Sequence, residues 1–194
     1  MRLEAGDPAD YRGADAIIQT DAREVVALGR MLRTAHPDDP GFARAAYEWV
    51  RDRITHSFDA GDRRVTLTAT EVLEAGTGLC FAKSHLLASV LRSQGVPTGL
   101  CYQRLADGDS FVLHGLVAVH LDGGWHRLDA RGNNPAVDAQ FSLGEERLAW
   151  PVDPAAGEVD YPTVFAIPTG VVVDALRNSD DALVLCAGGL PSVL

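Results

Sequence analysis

The sequence predicts an α+β fold, with helices leading and an antiparallel sheet following. Apolar residues recur every three or four positions up to residue 94, then alternate with period two from about residue 97 to residue 130. Gly95-Val96-Pro97 stands between the two patterns, where it ends the last helix and begins the first strand. Further on, Asp122-Gly123-Gly124 supplies the turn of a β-hairpin.

The elements follow in order. Over residues 21–33 Val25, Leu28 and Leu32 share one helical face, and Asp21 is the expected cap. A second helix is expected over PGFARAAYEWVRDRI, with Pro40 near its first turn and Phe42, Ala46, Trp49, Val50 and Ile54 as its apolar stripe. TATEVLEAGTG reads as a short helix with Thr70 at its start and Gly76 and Gly78 ending it. After Gly78 the series Leu79, Ala82, Leu86, Leu87, Val90, Leu91 marks the most apolar helix, which belongs in the core. PTGLCYQRL, FVLHGLVAVHL and GWHRLDA read as strands. In the last third, VFAIP and ALVLCAGGL are short apolar runs, and VVVDALRN is a brief helix. The segments at 59–64 and 107–110, and the acidic GEERL and GEVDYP, read as surface loops.

At 194 residues the chain is expected to form one domain, 1–194, with a full hydrophobic core. Its composition, 46% apolar and 23% charged, is that of a globular protein. A net charge of -10 without a basic cluster argues against a nucleic-acid partner, because phosphate binding needs a basic face. The opening MRLEAGDPAD lacks the basic and apolar regions of a leader, and the apolar runs are too short for a membrane span, so a soluble, cytoplasmic protein is expected. Three cysteines without CxxC spacing suggest neither a disulfide framework nor a zinc knuckle. Cys101 and Cys186 lie in apolar runs and read as packing residues.

Cys80 also has an ordinary reading, since free cysteine is often buried. Its position is what distinguishes it. At the first turn of a helix it meets the positive end of the macrodipole and unpaired backbone N–H groups, which favour a thiolate and can receive an oxyanion. A nucleophile there needs a base. His36 precedes a proline in an acidic loop, and His85 lies five positions after Cys80, roughly 140° around the helix. His114 instead interrupts an apolar strand, where a polar ring must find a partner or a cleft. With a two-residue hairpin loop, Leu116 stands opposite Asp129 and His114 is its diagonal neighbour on the same face. A four-residue loop puts His114 and Asp129 directly opposite, whereas a three-residue loop separates them to opposite faces. An aspartate on the shared face would hold the imidazole in one tautomer and stabilise its protonated form. Asp129 is otherwise read as capping the turn ARGNNP.

GTGLCFAKSHLLASVLRSQGVPTG followed by HGLVAVHLDGGWHRLDARGN resembles the core of the transglutaminase-like superfamily, over about residues 66–134. YEWVRDRITHSFD resembles the helix and extended segment that precede that core. The resemblance implies a papain-like α+β fold with a Cys-His-Asp triad at Cys80, His114 and Asp129. Two positions depart from the pattern of many microbial members, in which an aspartate follows the cysteine by two residues and an arginine follows the Gly-x-Pro turn; here they are Ala82 and Thr98.

The implied function is cysteine-dependent acyl transfer or amide hydrolysis through a thioester on Cys80, acting on a peptide, a protein or a small amide, with no cofactor and no metal. The oligomeric state stays open. A catalytically silent binding module of the same fold is the alternative, and a zinc site built from Cys80, His114 and Asp129 a lesser one, since close ligand pairs are missing. For a second oxyanion donor His56, Gln103 and a backbone amide are all candidates. Lys83, one turn from Cys80, reads as a solvated lysine.

Overall fold

The computed structural model describes residues 1–194. Helix α1 (Arg23–Ala35) starts from Ala22, whose extended backbone makes it the N-cap without a side-chain acceptor. Asp21 falls one residue outside and does not cap. Helix α2 (Asp39–Arg53) is capped by Asp38, which accepts the Gly41 N–H at 2.8 Å. Strand β1 (Thr55–His56) and a single turn, α3 (Ser57–Ala60), come next.

Helix α4 (Ala69–Ala75) is capped by Thr68 rather than Thr70. The Glu71 N–H donates to Thr68 Oγ1 at 3.3 Å and the Thr68 N–H donates to Glu71 Oε2 at 3.0 Å, so two orphan donors are satisfied reciprocally. Thr70 sits inside the first turn, where its hydroxyl and its N–H both bind Gln19 Oε1. Gly76 closes the helix at φ 66°, a backbone region that suits glycine. The chain then enters β2 (Thr77–Gly78), which pairs in parallel with β1, His56 opposite Gly78.

Helix α5 (Cys80–Ser93) is buried over nearly its whole length. It carries Phe81, Leu86, Leu87, Val90 and Leu91 into a core shared with Val25 and Leu28 of α1, and with Phe42, Tyr47 and Val50 of α2. Strands β3 (Thr98–Asp107), β4 (Ser110–Leu121), β5 (Gly124–Leu128) and β6 (Val159–Asp160) form one sheet in the order β5-β4-β3-β6. Leu113, Val117 and Val119 of β4 join the α5 core, while Cys101, Leu116 and Ala118 pack on the other face with Tyr11 and Val164. Burial pushes the Cys101 thiol up to about 12, the state of a packing residue.

The hairpin has the two-residue loop. Leu121 pairs with Gly124 and Ala118 with Arg127, and both loop residues have positive φ, 51° at Asp122 and 80° at Gly123. The acidic GEVDYP is not a plain loop, because it contains β6, whose Asp160 pairs with the buried guanidinium of Arg127. Glu146 of GEERL binds the same guanidinium. A buried cation has to be met by anions, and these two carboxylates meet it. The chain continues through α6 (Gly170–Arg177) and α7 (Ala182–Val184) into a wide turn at Leu185–Gly189. Beyond it, Pro191 O accepts the Leu113 N–H at 2.7 Å on a stretch of β4 that β5 does not reach. No helix is long and apolar enough to cross a membrane.

Two buried polar groups in α5 tie its flanks together. Arg92 donates to Thr98 O, Gly13 O and Ala166 O at 2.7, 2.9 and 2.7 Å, joining three separate segments to the helix end. His85 points away from Cys80, as its spacing predicts, and its Nδ1 meets Leu67 O at 2.8 Å. Burial pulls the ring down to about 4, so it folds as a neutral group. An unfolded histidine titrates near 6.5. As pH falls below that value the unfolded state therefore gains a proton that the native state refuses, and stability is lost until about pH 4. The expected slope is up to about 1.4 kcal/mol per pH unit from this residue. Urea unfolding at pH 7, 6 and 5 measures it, and His85→Gln, which keeps a donor for Leu67 O, is expected to flatten the profile.

Candidate active site

Cys80 is the first residue of α5, and Leu79 before it offers no side-chain cap, so no side chain shields the first-turn N–H groups. The residue is 7% exposed, and its thiol receives the Gly115 N–H of β4 at 3.4 Å. That approach depends on Gly115. A Cβ at this position would stand 2.5 Å from Phe81 Cδ1 and 3.2 Å from Phe81 Cα, so helix and strand could not keep their present spacing.

His114 lies next to Gly115, on the strand face it shares with the end of the hairpin. Its Nε2 donates to Asp129 Oδ2 at 2.8 Å, which leaves Nδ1 for the thiol side. Burial works against a charged ring here, but the Asp129 carboxylate and the Cys80 sulfur outweigh it and push His114 up to about 10. Asp129 comes directly after β5 and is wholly buried. Burial opposes its charge, yet the His114 ring and two backbone donors hold it below the usual carboxylate range. Those donors are Ala149 N–H on Oδ2 at 3.0 Å and Arg131 N–H on Oδ1 at 3.1 Å. Tyr47 of α2 fixes the backbone itself, its hydroxyl donating to Asp129 O at 3.0 Å. The register predicted for a two-residue loop, with His114 and Asp129 as diagonal neighbours on one face, is thus the one that forms.

Cys80 and His114 line a cavity of about 380 Å³ whose apolar wall includes Phe58, Leu105, Val112, Leu113, Trp150 and Leu190, with Asp129 buried behind His114. Trp150 stands edge-on to the His114 ring at 5.0 Å and beneath the Arg131 guanidinium at 5.2 Å, covering the imidazole. Sequence reasoning misses this residue, because it sits in an irregular segment with no periodic pattern. Cys186, partly buried, packs against the main core as expected and also lines the cavity. Burial and the nearby Cys80 raise its thiol to about 11. No group of three or more His, Cys, Asp or Glu side chains is arranged to hold a metal ion.

A sequence model of the transglutaminase-like superfamily matches residues 27–130, a stretch that holds Cys80, His114 and Asp129. The chain belongs to this superfamily. No curated protein shows significant sequence similarity to it. Among solved structures, a candidate cysteine protease from Cytophaga hutchinsonii superposes with a TM-score of 0.52 at 15% identity, covering 65% of this chain and 42% of its own. The periplasmic domain of TgpA from Pseudomonas aeruginosa gives a TM-score of 0.48 at 18% identity, covering 64% of this chain and 48% of its own. The chain thus spans less than half the length of either structure, and the first likeness establishes a shared fold.

Set beside the superfamily pattern, the two departing positions are structural here. Ala82 packs in the core, and Thr98 passes its carbonyl to Arg92. Lys83 is not solvated. It is fully buried, and its Nζ donates to Arg51 O at 3.2 Å and to Ile54 O, which ties the end of α2 to the start of α5. Burial and the neighbouring Arg131 lower it to about 7, against the pull of Asp129, Asp52 and Asp59. The lysine faces the open carbonyl end of α2, which sequence spacing does not reveal. Gln103 is cross-strand partner to His114 but does not line the cavity; its Nε2 donates to Asp160 Oδ1 at 2.9 Å. Of the two side-chain candidates for an oxyanion donor, only His56 lines the cavity with Cys80.

Proposed function

We propose that this protein performs cysteine-dependent acyl transfer or amide hydrolysis, with Cys80 as nucleophile, His114 as general base and acid, and Asp129 as the group that orients His114. One observation carries the reading: a helix-first cysteine and a strand histidine, distant in sequence, line one cavity, and a buried aspartate holds the far side of the histidine ring by a hydrogen bond. His114 takes the thiol proton on Nδ1 and forms an imidazolium that Asp129 stabilises. The Gly115 N–H supports the sulfur anion. Attack on a carbonyl forms the S–C bond, and the oxyanion is received by the Cys80 backbone N–H. His114 then gives its proton to the departing amine, leaving a thioester. Water or a second amine, deprotonated by His114, resolves it.

The substrate reading follows from the cavity. Its apolar wall and modest volume suit the side chain of a peptide or a small amide. The acyl donor is therefore a carboxamide or amide presented by a peptide, a protein or a small molecule.

Alkylation of Cys80 by iodoacetamide tests the activated pair. At pH 7 the wild-type rate is expected to exceed that of His114→Gln by at least about tenfold, because the imidazolium that holds the thiolate is gone. Equal rates in the two proteins would refute the pairing. Mass spectrometry of an acyl group trapped on Cys80 from a mixture of amides then names the donor.

A further inference from the structure

One polar group in the cavity has no structural employment. His56 ends β1, and its pairing with Gly78 sets it beside the strand that leads into Cys80. Its side chain is 9% exposed and lines the same cavity as the thiol. Its Nδ1 is buried without a hydrogen-bond partner. The nearest carboxylate oxygen, Asp59 Oδ1, is 4.0 Å away and already accepts from Arg131 Nη2 at 2.9 Å. A buried ring nitrogen left unpaired is costly, and an apolar residue would fill the place without that cost.

We propose that His56 is a further catalytic residue, an N–H donor that shares with the Cys80 backbone N–H the oxyanion formed during acylation and deacylation. This rests on the acyl-transfer reading above. When Sγ attacks, the S–C bond forms and the carbonyl π pair moves onto oxygen; His56 donates a hydrogen bond to that oxygen and keeps its proton. On collapse the pair returns, the bond to the leaving group breaks, and the leaving group takes its proton from His114. The donor has to remain neutral, since an acidic imidazolium would protonate the intermediate or the thiolate. Burial and the surrounding cations Arg131, Lys83 and His114 hold the ring down to about 3, against the single pull of Asp59. Two histidines in one cavity are thus divided by their surroundings, one kept charged beside a buried carboxylate and one kept neutral among cations.

Two reactions of the same thiol separate this role from others. Alkylation by iodoacetamide displaces iodide and forms no oxyanion, whereas acylation by p-nitrophenyl acetate does. In His56→Leu the acylation burst is expected to slow by roughly 10²–10³-fold while the alkylation rate and its pH profile stay as in the wild type. His56→Gln, which restores an N–H, is expected to recover most of the burst. The proposal is overturned if His56→Leu acylates at the wild-type rate, or if both reactions slow together, which would make His56 a support for the thiolate or for the fold. If the wild type itself shows no burst, the acyl-transfer reading fails first and the role of His56 fails with it.

Discussion

Cys80→Ala is expected to remove acyl transfer altogether, by at least about 10⁴-fold in kcat, with the fold intact. The loss is complete in kind because the thioester has no substitute nucleophile: Cys186 shares the cavity, but burial, the largest cause of its raised thiol pKa, persists without Cys80. The cost to stability is small. The sulfur borders an open cavity on one side, so its removal leaves only a methyl facing the Gly115 N–H. Thermal unfolding alongside turnover checks both halves. Retention of turnover in Cys80→Ala would remove the nucleophile from the mechanism.

Asp129→Asn is expected to be nearly as severe for the reaction and worse for the protein. The carboxylate accepts three N–H groups, two on Oδ2 and one on Oδ1. An asparagine offers one acceptor end and one donor end, so whichever way it turns, an N–H faces an N–H. If the amide nitrogen takes the Oδ2 place, His114 must move its proton to Nδ1 and presents no lone pair to the thiol. Loss of the orienting anion in this arrangement costs about 10³–10⁴-fold in turnover. Removing one partner of a buried pair costs about 3–5 kcal/mol in addition. The variant is therefore expected to unfold at lower denaturant and to alkylate slowly at neutral pH. Normal stability with normal alkylation would show that Asp129 does not hold His114.

The candidate site residues were legible because each is marked by a break in a local pattern: a cysteine after a glycine-ended helix, a histidine within an apolar strand, an aspartate at a hairpin end. The register between the last two followed from turn chemistry at Asp122-Gly123, where both residues adopt positive φ. What sequence patterns missed depends on contacts across long stretches of chain. Lys83 and Arg92 look like ordinary charged helix residues, yet each ends on backbone carbonyls from remote segments. Trp150 and Ala149 belong to an irregular loop that closes over Asp129 and His114, and nothing periodic announces it. The caps at Ala22 and Thr68 were displaced by one or two residues, the usual uncertainty where several polar residues flank a helix start.

Gly115 gives the site its dimensional tolerance. The proposed nucleophile belongs to a helix and the proposed base to a strand, and two such elements ordinarily keep apart by the width of their side chains. Here the gap is gauged by a hydrogen atom, because Phe81 rests against the bare backbone of residue 115. A single methyl group there, chemically inert and carrying no charge, would act as a shim between thiol and imidazole. The proposed reactivity is thus adjustable from a position that touches the sulfur only through its backbone N–H and has no side chain to remove.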